Sequence, residues 1–124
     1  MARAVSGALS TSLYVCPELI HGQCGRCSCL SQAYKAVGES TEIPLTYYEN
    51  NVSATVYLLQ IAGEFDCTRI VYSSSATVYG TPPVIPIPET TRLEAHSHYG
   101  KTKVMCETII SDLCAGKSFK LLGF

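Results

Sequence analysis

Apolar residues recur along this chain at helical spacings in two places. Leu45, Tyr48, Val52, Val56 and Leu59 follow one another at 3, 4, 4 and 3, which puts them on one face of a helix. Pro44 suits the first turn of that helix, with Thr41 or a nearby polar group as its cap. Gly63-Glu-Phe-Asp-Cys-Thr68 ends the helix and turns the chain. A second stripe, Tyr99, Lys103, Cys106, Ile110 and Leu113, repeats at 4, 3, 4 and 3 and predicts a helix from about Ser97 to Cys114. Between the two helices, Arg69-Ile-Val-Tyr72 is short and β-rich without alternation, as expected of a strand buried on both faces. Lys117-Ser-Phe-Lys-Leu-Leu122 begins a further apolar strand. The alternation of strand and helix reads as an α/β fold.

Polar residues break this pattern at informative places. Tyr99 and Lys103 lie on the apolar stripe of their helix, facing the sheet. A lysine there is costly unless it has a partner, or snorkels to solvent from the edge of the stripe. Ser73-Ser-Ser75 closes the Arg69–Tyr72 strand. Ligands of open α/β sheets bind beyond the carboxyl ends of strands, although serines are also common turn formers. Asn50 and Asn51 sit in the first half of the first helix, where the pattern alone predicts solvent exposure. Gly80-Thr-Pro-Pro-Val-Ile-Pro-Ile-Pro88 is expected to be a rigid surface loop, since its prolines exclude helix.

Composition narrows the function classes. The 124 residues allow one domain at most, and 47% hydrophobic with 15% charged residues makes it globular. A formal net charge of -1 gives no electrostatic case for nucleic acid or an anionic membrane. No apolar run approaches the roughly 20 residues that span a bilayer. The opening residues, with Arg3 and the apolar run Leu13-Tyr-Val-Cys16, read as a strand with frayed flanks rather than a leader.

The 7 cysteines cannot all pair within one chain. Cys67, Cys106 and Cys114 fall in or beside predicted elements and read as small buried hydrophobes. This usage suits a reducing compartment, so a cytoplasmic location is expected. His21-Gly-Gln-Cys24-Gly-Arg-Cys27-Ser-Cys29 holds a single Cys-x-x-Cys knuckle. Tetrahedral zinc usually draws its ligands from two knuckles, so free thiols in a Gly/Ser-rich loop are expected, and no metal.

From Lys35 onward the chain resembles the UDP-galactose 4-epimerases (UDP-glucose 4-epimerases) of the extended short-chain dehydrogenase/reductase family. The resemblance rests on Lys35-Ala-Val-Gly-Glu-Ser40, Pro44-Leu-Thr-Tyr-Tyr-Glu-Asn-Asn-Val52, Ser73-Ser-Ser-Ala-Thr-Val-Tyr-Gly80, Ile85-Pro-Ile-Pro-Glu89 and Tyr99-Gly-Lys-Thr-Lys103. These stand in the family's order and close to its spacing.

The resemblance implies a partial Rossmann-like, NAD-binding fold with parallel strands and transient oxidation of a UDP-sugar at C4. Tyr99 would be the base that takes the proton from the sugar 4-hydroxyl. Lys103 would bond the nicotinamide ribose and lower the phenol pKa from its ordinary value of about 10. Ser75 would hydrogen-bond the 4-oxygen and help relay the proton. Ser73 and Ser74 would line the nicotinamide side, and Lys35 and Asn50 match positions that contact the cofactor, which displaces the exposed reading of Asn50.

The family's opening Gly-x-x-Gly-x-x-Gly has no counterpart here, and His98 stands where a proline is usual. The expected division is a Cys-rich head over 1–34 that does not match, then the central part of an NAD-binding domain over 35–124. An internal fragment of this kind, without its substrate domain, is expected to be inactive alone. It would act as a homodimer or paired with a full-length homologue. The alternatives are a non-catalytic remnant or interaction protein and, more remotely, a small Cys-rich metal-binding protein.

Overall fold

Three short parallel strands carry the fold. The computed structural model describes residues 27–30, 34–65, 67–116 and 119–123, with backbone alone for 27–30 and 122–123. Strands β1 (Cys27–Leu30), β2 (Arg69–Tyr72) and β3 (Lys120–Gly123) form one sheet in the order β1-β2-β3, with β2 central. Cys27 pairs with Arg69 and Leu30 with Tyr72, while Arg69 pairs with Lys120 and the register slips between Ile70 and Val71. Parallel neighbours need crossovers, and helices supply both of them. The α/β, parallel-strand reading of the sequence therefore holds. Strand β1 is a correction, because it lies where a Gly/Ser-rich loop is expected. Cys16, His21 and Cys24 lie outside the described residues.

The first crossover is more broken than its periodicity suggests. A short helix α1 (Glu39–Glu42) precedes α2 (Pro44–Tyr48), a π-helical turn (Glu49–Ser53) and α3 (Ala54–Glu64). Pro44 does open a helix, where its missing N–H is no loss. Thr41 does not cap it, for it lies inside α1, and the residue before Pro44 is Ile43, which makes no side-chain cap.

The buried face differs from the expected stripe. Leu45 is 81% exposed, and the buried residues are Tyr47, Asn50, Asn51, Thr55, Leu59 and Ala62. Four-residue steps drift around a regular helix of 3.6 residues per turn, and the wider π turn absorbs that drift. Both asparagines are buried, which overturns the solvent-exposed reading.

Helix α4 (His98–Ala115) makes the second crossover, capped by the Ser97 side chain accepting from Gly100 N at 3.0 Å. Its Cys106 and Ile110 pack with Leu59 and Ala62 of α3 and with Ile70 and Tyr72 of β2 to form the core. Strand β2 alternates after all, with Ile70 and Tyr72 buried and Arg69 and Val71 only half-buried. Its second face is thus open enough to border a cleft. Of the later cysteines, Cys106 is buried and Cys67 and Cys114 are half-buried.

Candidate functional site

The site begins where β2 stops. After Tyr72 the chain leaves the sheet through Ser73, Ser74 and Ser75 and enters a 3-10 turn, Ala76–Tyr79, that the sequence reading passes over. Ser75 caps this turn. Its Oγ accepts from Thr77 N at 3.3 Å and from the Thr77 hydroxyl at 2.9 Å. Two accepted bonds occupy the lone pairs of Ser75 Oγ and leave its own proton to be donated elsewhere. Gly80 follows with φ +61°, and a Cβ there would lie 2.2 Å from Glu94 O. Only glycine fits a turn that both needs positive φ and meets backbone this closely.

Helix α4 supplies the second half of the site. Tyr99, Lys103 and Glu107 stand one turn apart along a single face. Lys103 is 3% exposed, and its Nζ donates to Ser73 O at 2.8 Å. The ammonium also lies 4.8 Å from the centre of the Tyr72 ring and 5.9 Å from that of Tyr99. Burial pushes the Lys103 pKa down, while Cys106 and Glu107 pull the other way. Burial and then the Cys106 thiol push the Tyr72 phenol up. Tyr99 is buried, and its carbonyl accepts from Thr102 Oγ1 at 2.7 Å. The Ser74 hydroxyl donates to Glu107 Oε1.

Gly100 fixes the approach of α4 to the serine turn. A Cβ there would lie 2.8 Å from Thr77 O and 3.1 Å from Ser97 Oγ. The helix start therefore sits directly against the segment that carries Ser75.

Asn51 joins these parts to the loop that bears Lys35. Its Oδ1 accepts from Tyr34 N at 2.9 Å, and its Nδ2 donates to Tyr34 O at 3.1 Å and to Thr102 Oγ1 at 3.0 Å. Its carbonyl accepts from Thr55 Oγ1 at 2.6 Å and from Cys106 Sγ at 3.4 Å. Asn50 Nδ2 in turn donates to Asn51 Oδ1 at 3.1 Å. The same loop is tied by Tyr47, whose hydroxyl shares its one proton between Glu39 Oε2 at 2.5 Å and Ala36 O at 2.9 Å. Burial, then the Glu39 hydrogen bond, push the Tyr47 pKa up to about 12. Lys35 itself is exposed.

A cleft of about 950 Å³ opens beyond the β2 end, with Ser73, Ser74, Ser75, Val71, Tyr79 and Glu107 on its wall. The structure thus gathers the three serines at one cleft and ties Lys103 to the first of them. Tyr99 and Lys103 back onto this group without lining the cleft, and Lys35 and Asn50 lie away from its wall. Sequence reasoning missed Asn51, Thr77 and Glu107. For Glu107 the signal was available, since it stands four residues after Lys103 on the same helical stripe. Among the described residues no cluster suited to a metal ion occurs, and no helix is long and apolar enough to cross a membrane.

A parallel sheet with helical crossovers, and a hydroxyl-rich cleft at the strand end facing a buried Tyr-x-x-x-Lys, define a Rossmann-type fold of the extended short-chain dehydrogenase/reductase class. The family model described as GDP-mannose 4,6 dehydratase matches residues 32–121, and the chain belongs to that family. Its relatives include a UDP-glucose 4-epimerase of Dictyostelium discoideum, 49% identical over 81 residues that make up 65% of this chain and 24% of the relative. A UDP-glucose 4-epimerase of Bacillus subtilis is 51% identical over 79 residues, 64% of this chain and 23% of that protein. The chain therefore spans about a quarter of the length of these relatives. The crystal structure of the Bifidobacterium longum UDP-glucose 4-epimerase in complex with NAD+ and UDP superposes with a TM-score of 0.71 at 33% identity, covering 86% of this chain and 32% of that one.

Proposed function

We propose that this chain carries the proton-transfer groups of a UDP-glucose 4-epimerase, an isomerase that transiently oxidises a UDP-sugar at C4. The observation that carries the reading is Lys103, a buried ammonium seated on the Ser73 carbonyl between the Tyr72 and Tyr99 rings. A buried charge is expensive unless paired or used, and this one stands at the strand end where dinucleotides bind in such folds.

The residues present suit the nicotinamide end of NAD. Lys103 offers donors for ribose hydroxyls, and the exposed Ser73 and its neighbour Ser74 offer hydroxyls on the cleft wall, while Asn50 and Lys35, away from that wall, are cofactor contacts on the family resemblance alone. NAD, when bound, would accept hydride from the sugar C4 and return it. Tyr99 takes the proton from the 4-hydroxyl and later gives it back. Among the described residues the Tyr99 hydroxyl makes no hydrogen bond, so it is available for that exchange. Ser75, whose lone pairs are filled by Thr77, donates its own proton to the 4-oxygen and steadies it while Tyr99 acts. Asn51 and Gly100 keep the loop, the helix and the serine turn at fixed distances. A base held in hydrogen-bond reach is effective only in that geometry.

A graft tests the reading. Residues 32–121 replace the matching segment of the Bacillus subtilis UDP-glucose 4-epimerase. The chimera is expected to retain NAD and to convert UDP-galactose to UDP-glucose. A folded chimera that retains NAD and performs no conversion would overturn the proposal.

A further inference from the structure

Glu107 has no part in the proton transfer described above, yet it lies on the cleft wall beside the serines. Lys103 and Glu107 are one helical turn apart on α4, and they grip consecutive residues. Lys103 Nζ donates to the carbonyl of Ser73, and Glu107 accepts from the hydroxyl of Ser74. The strand end is therefore fastened to the helix at two successive points by two opposite charges.

Facing Lys103, the Tyr72 ring of β2 lies at 4.8 Å and the Tyr99 ring of α4 at 5.9 Å. Among the described residues, Lys103 Nζ donates to the Ser73 carbonyl. Cys106 and Glu107 act on its charge from the same helix, against the effect of burial. Glu107 is the carboxylate in this set, one helical turn from Lys103, and it accepts from the Ser74 hydroxyl.

We propose that Glu107 is a positioning residue: anchored by the Ser74 hydroxyl, its carboxylate keeps Lys103 in the ammonium form and holds residues 73 and 74 in register on α4. It acts through Lys103 and Ser74 and touches no reacting atom. The inference rests on the reading of Lys103 as the cation of the site, but its test needs neither cofactor nor sugar.

The 124-residue chain, isotope-labelled at lysine Cε, is titrated by NMR. In Glu107→Gln, which keeps an acceptor for Ser74 and removes the charge, the Lys103 midpoint is expected to fall by about one pH unit. In Ser74→Ala, where Glu107 loses its anchor, the Lys103 midpoint falls by a smaller amount. An unchanged Lys103 midpoint in Glu107→Gln overturns the proposal. Should that variant fail to fold, an unchanged midpoint in Ser74→Ala does the same. A grafted epimerase that performs no conversion would leave these midpoints where they are, so the two failures are distinguishable.

Discussion

Lys103 Nζ donates to the Ser73 carbonyl over 2.8 Å and so joins the middle of the α4 stripe to the end of the central strand. Burial lowers the pKa of this lysine below its ordinary value of 10.5. Below the folded value, folded and unfolded chains both hold the proton. Between the folded value and 10.5 the unfolded chain holds more, so stability rises with pH across that window. Urea unfolding of the chain and of Lys103→Met at a series of pH values is expected to show the wild type gaining on the variant as pH rises toward 10.5. A difference that is flat or falls with pH would contradict the burial of a charged lysine.

Asn51→Leu removes four side-chain hydrogen bonds at once: two with the Tyr34 backbone, one to the Thr102 hydroxyl and one from Asn50 Nδ2. The bonds with Thr102 and Asn50 are buried, and losing a buried hydrogen bond of this kind costs about 1–3 kcal/mol, so a loss of about 2–4 kcal/mol in chemical unfolding is expected. Asn51→Asp keeps the acceptor for Tyr34 N but turns an anion toward Tyr34 O, and it should be no better tolerated than Leu. A near-neutral Asn51→Leu would remove Asn51 from the framework.

Gly100→Ala pits two effects against each other. Alanine favours the helix by about 1 kcal/mol. Its Cβ, however, would sit 2.8 Å from the Thr77 carbonyl and 3.1 Å from Ala95 Cβ. Backbone cannot yield as a flexible side chain does, and overpacking costs about 1–3 kcal/mol. The clash should prevail, giving a lower Tm and a helix start pushed away from Ser75. A higher Tm would show that the two segments can part freely.

Tyr47→Phe tests the loop that bears Lys35. Folding raises this phenol to about 12. Between its ordinary value of 10 and that figure the folded chain holds the proton better than the unfolded one, so stability is lost as pH rises through the window. The variant should lose about 1–2 kcal/mol at neutral pH, through the vacated Ala36 carbonyl and Glu39 carboxylate. It should then show a shallower decline between pH 10 and 12. Identical alkaline profiles would contradict the role given to burial and Glu39.

Much of this frame was legible in the residues. Arg69–Tyr72 is the strand that was expected, and the second stripe predicts α4 to within a residue at each end. Both succeed because periodicity and caps are local properties. The buried face of the first helix was not legible. A π turn shifts it, and the burial of Asn51 depends on partners as distant as residues 34 and 102, which no local pattern can reveal. The placement of the serines at the strand end was readable from the β-rich run Arg69–Tyr72 alone. Their fastening to Lys103, Glu107 and Thr77 depends on tertiary contact and on a 3-10 turn whose sequence, Ala-Thr-Val-Tyr, looks more like strand.

The central claim is that Tyr99, behind the serine turn, moves the proton. Its most direct measurement is the rate of UDP-galactose conversion by the grafted epimerase with and without Tyr99→Phe, alongside retained NAD. A general base of this kind contributes roughly 100- to 10,000-fold, and a loss of that size with NAD still bound is the predicted result. A Tyr99→Phe graft that converts the sugar within about twofold of its parent would contradict the account.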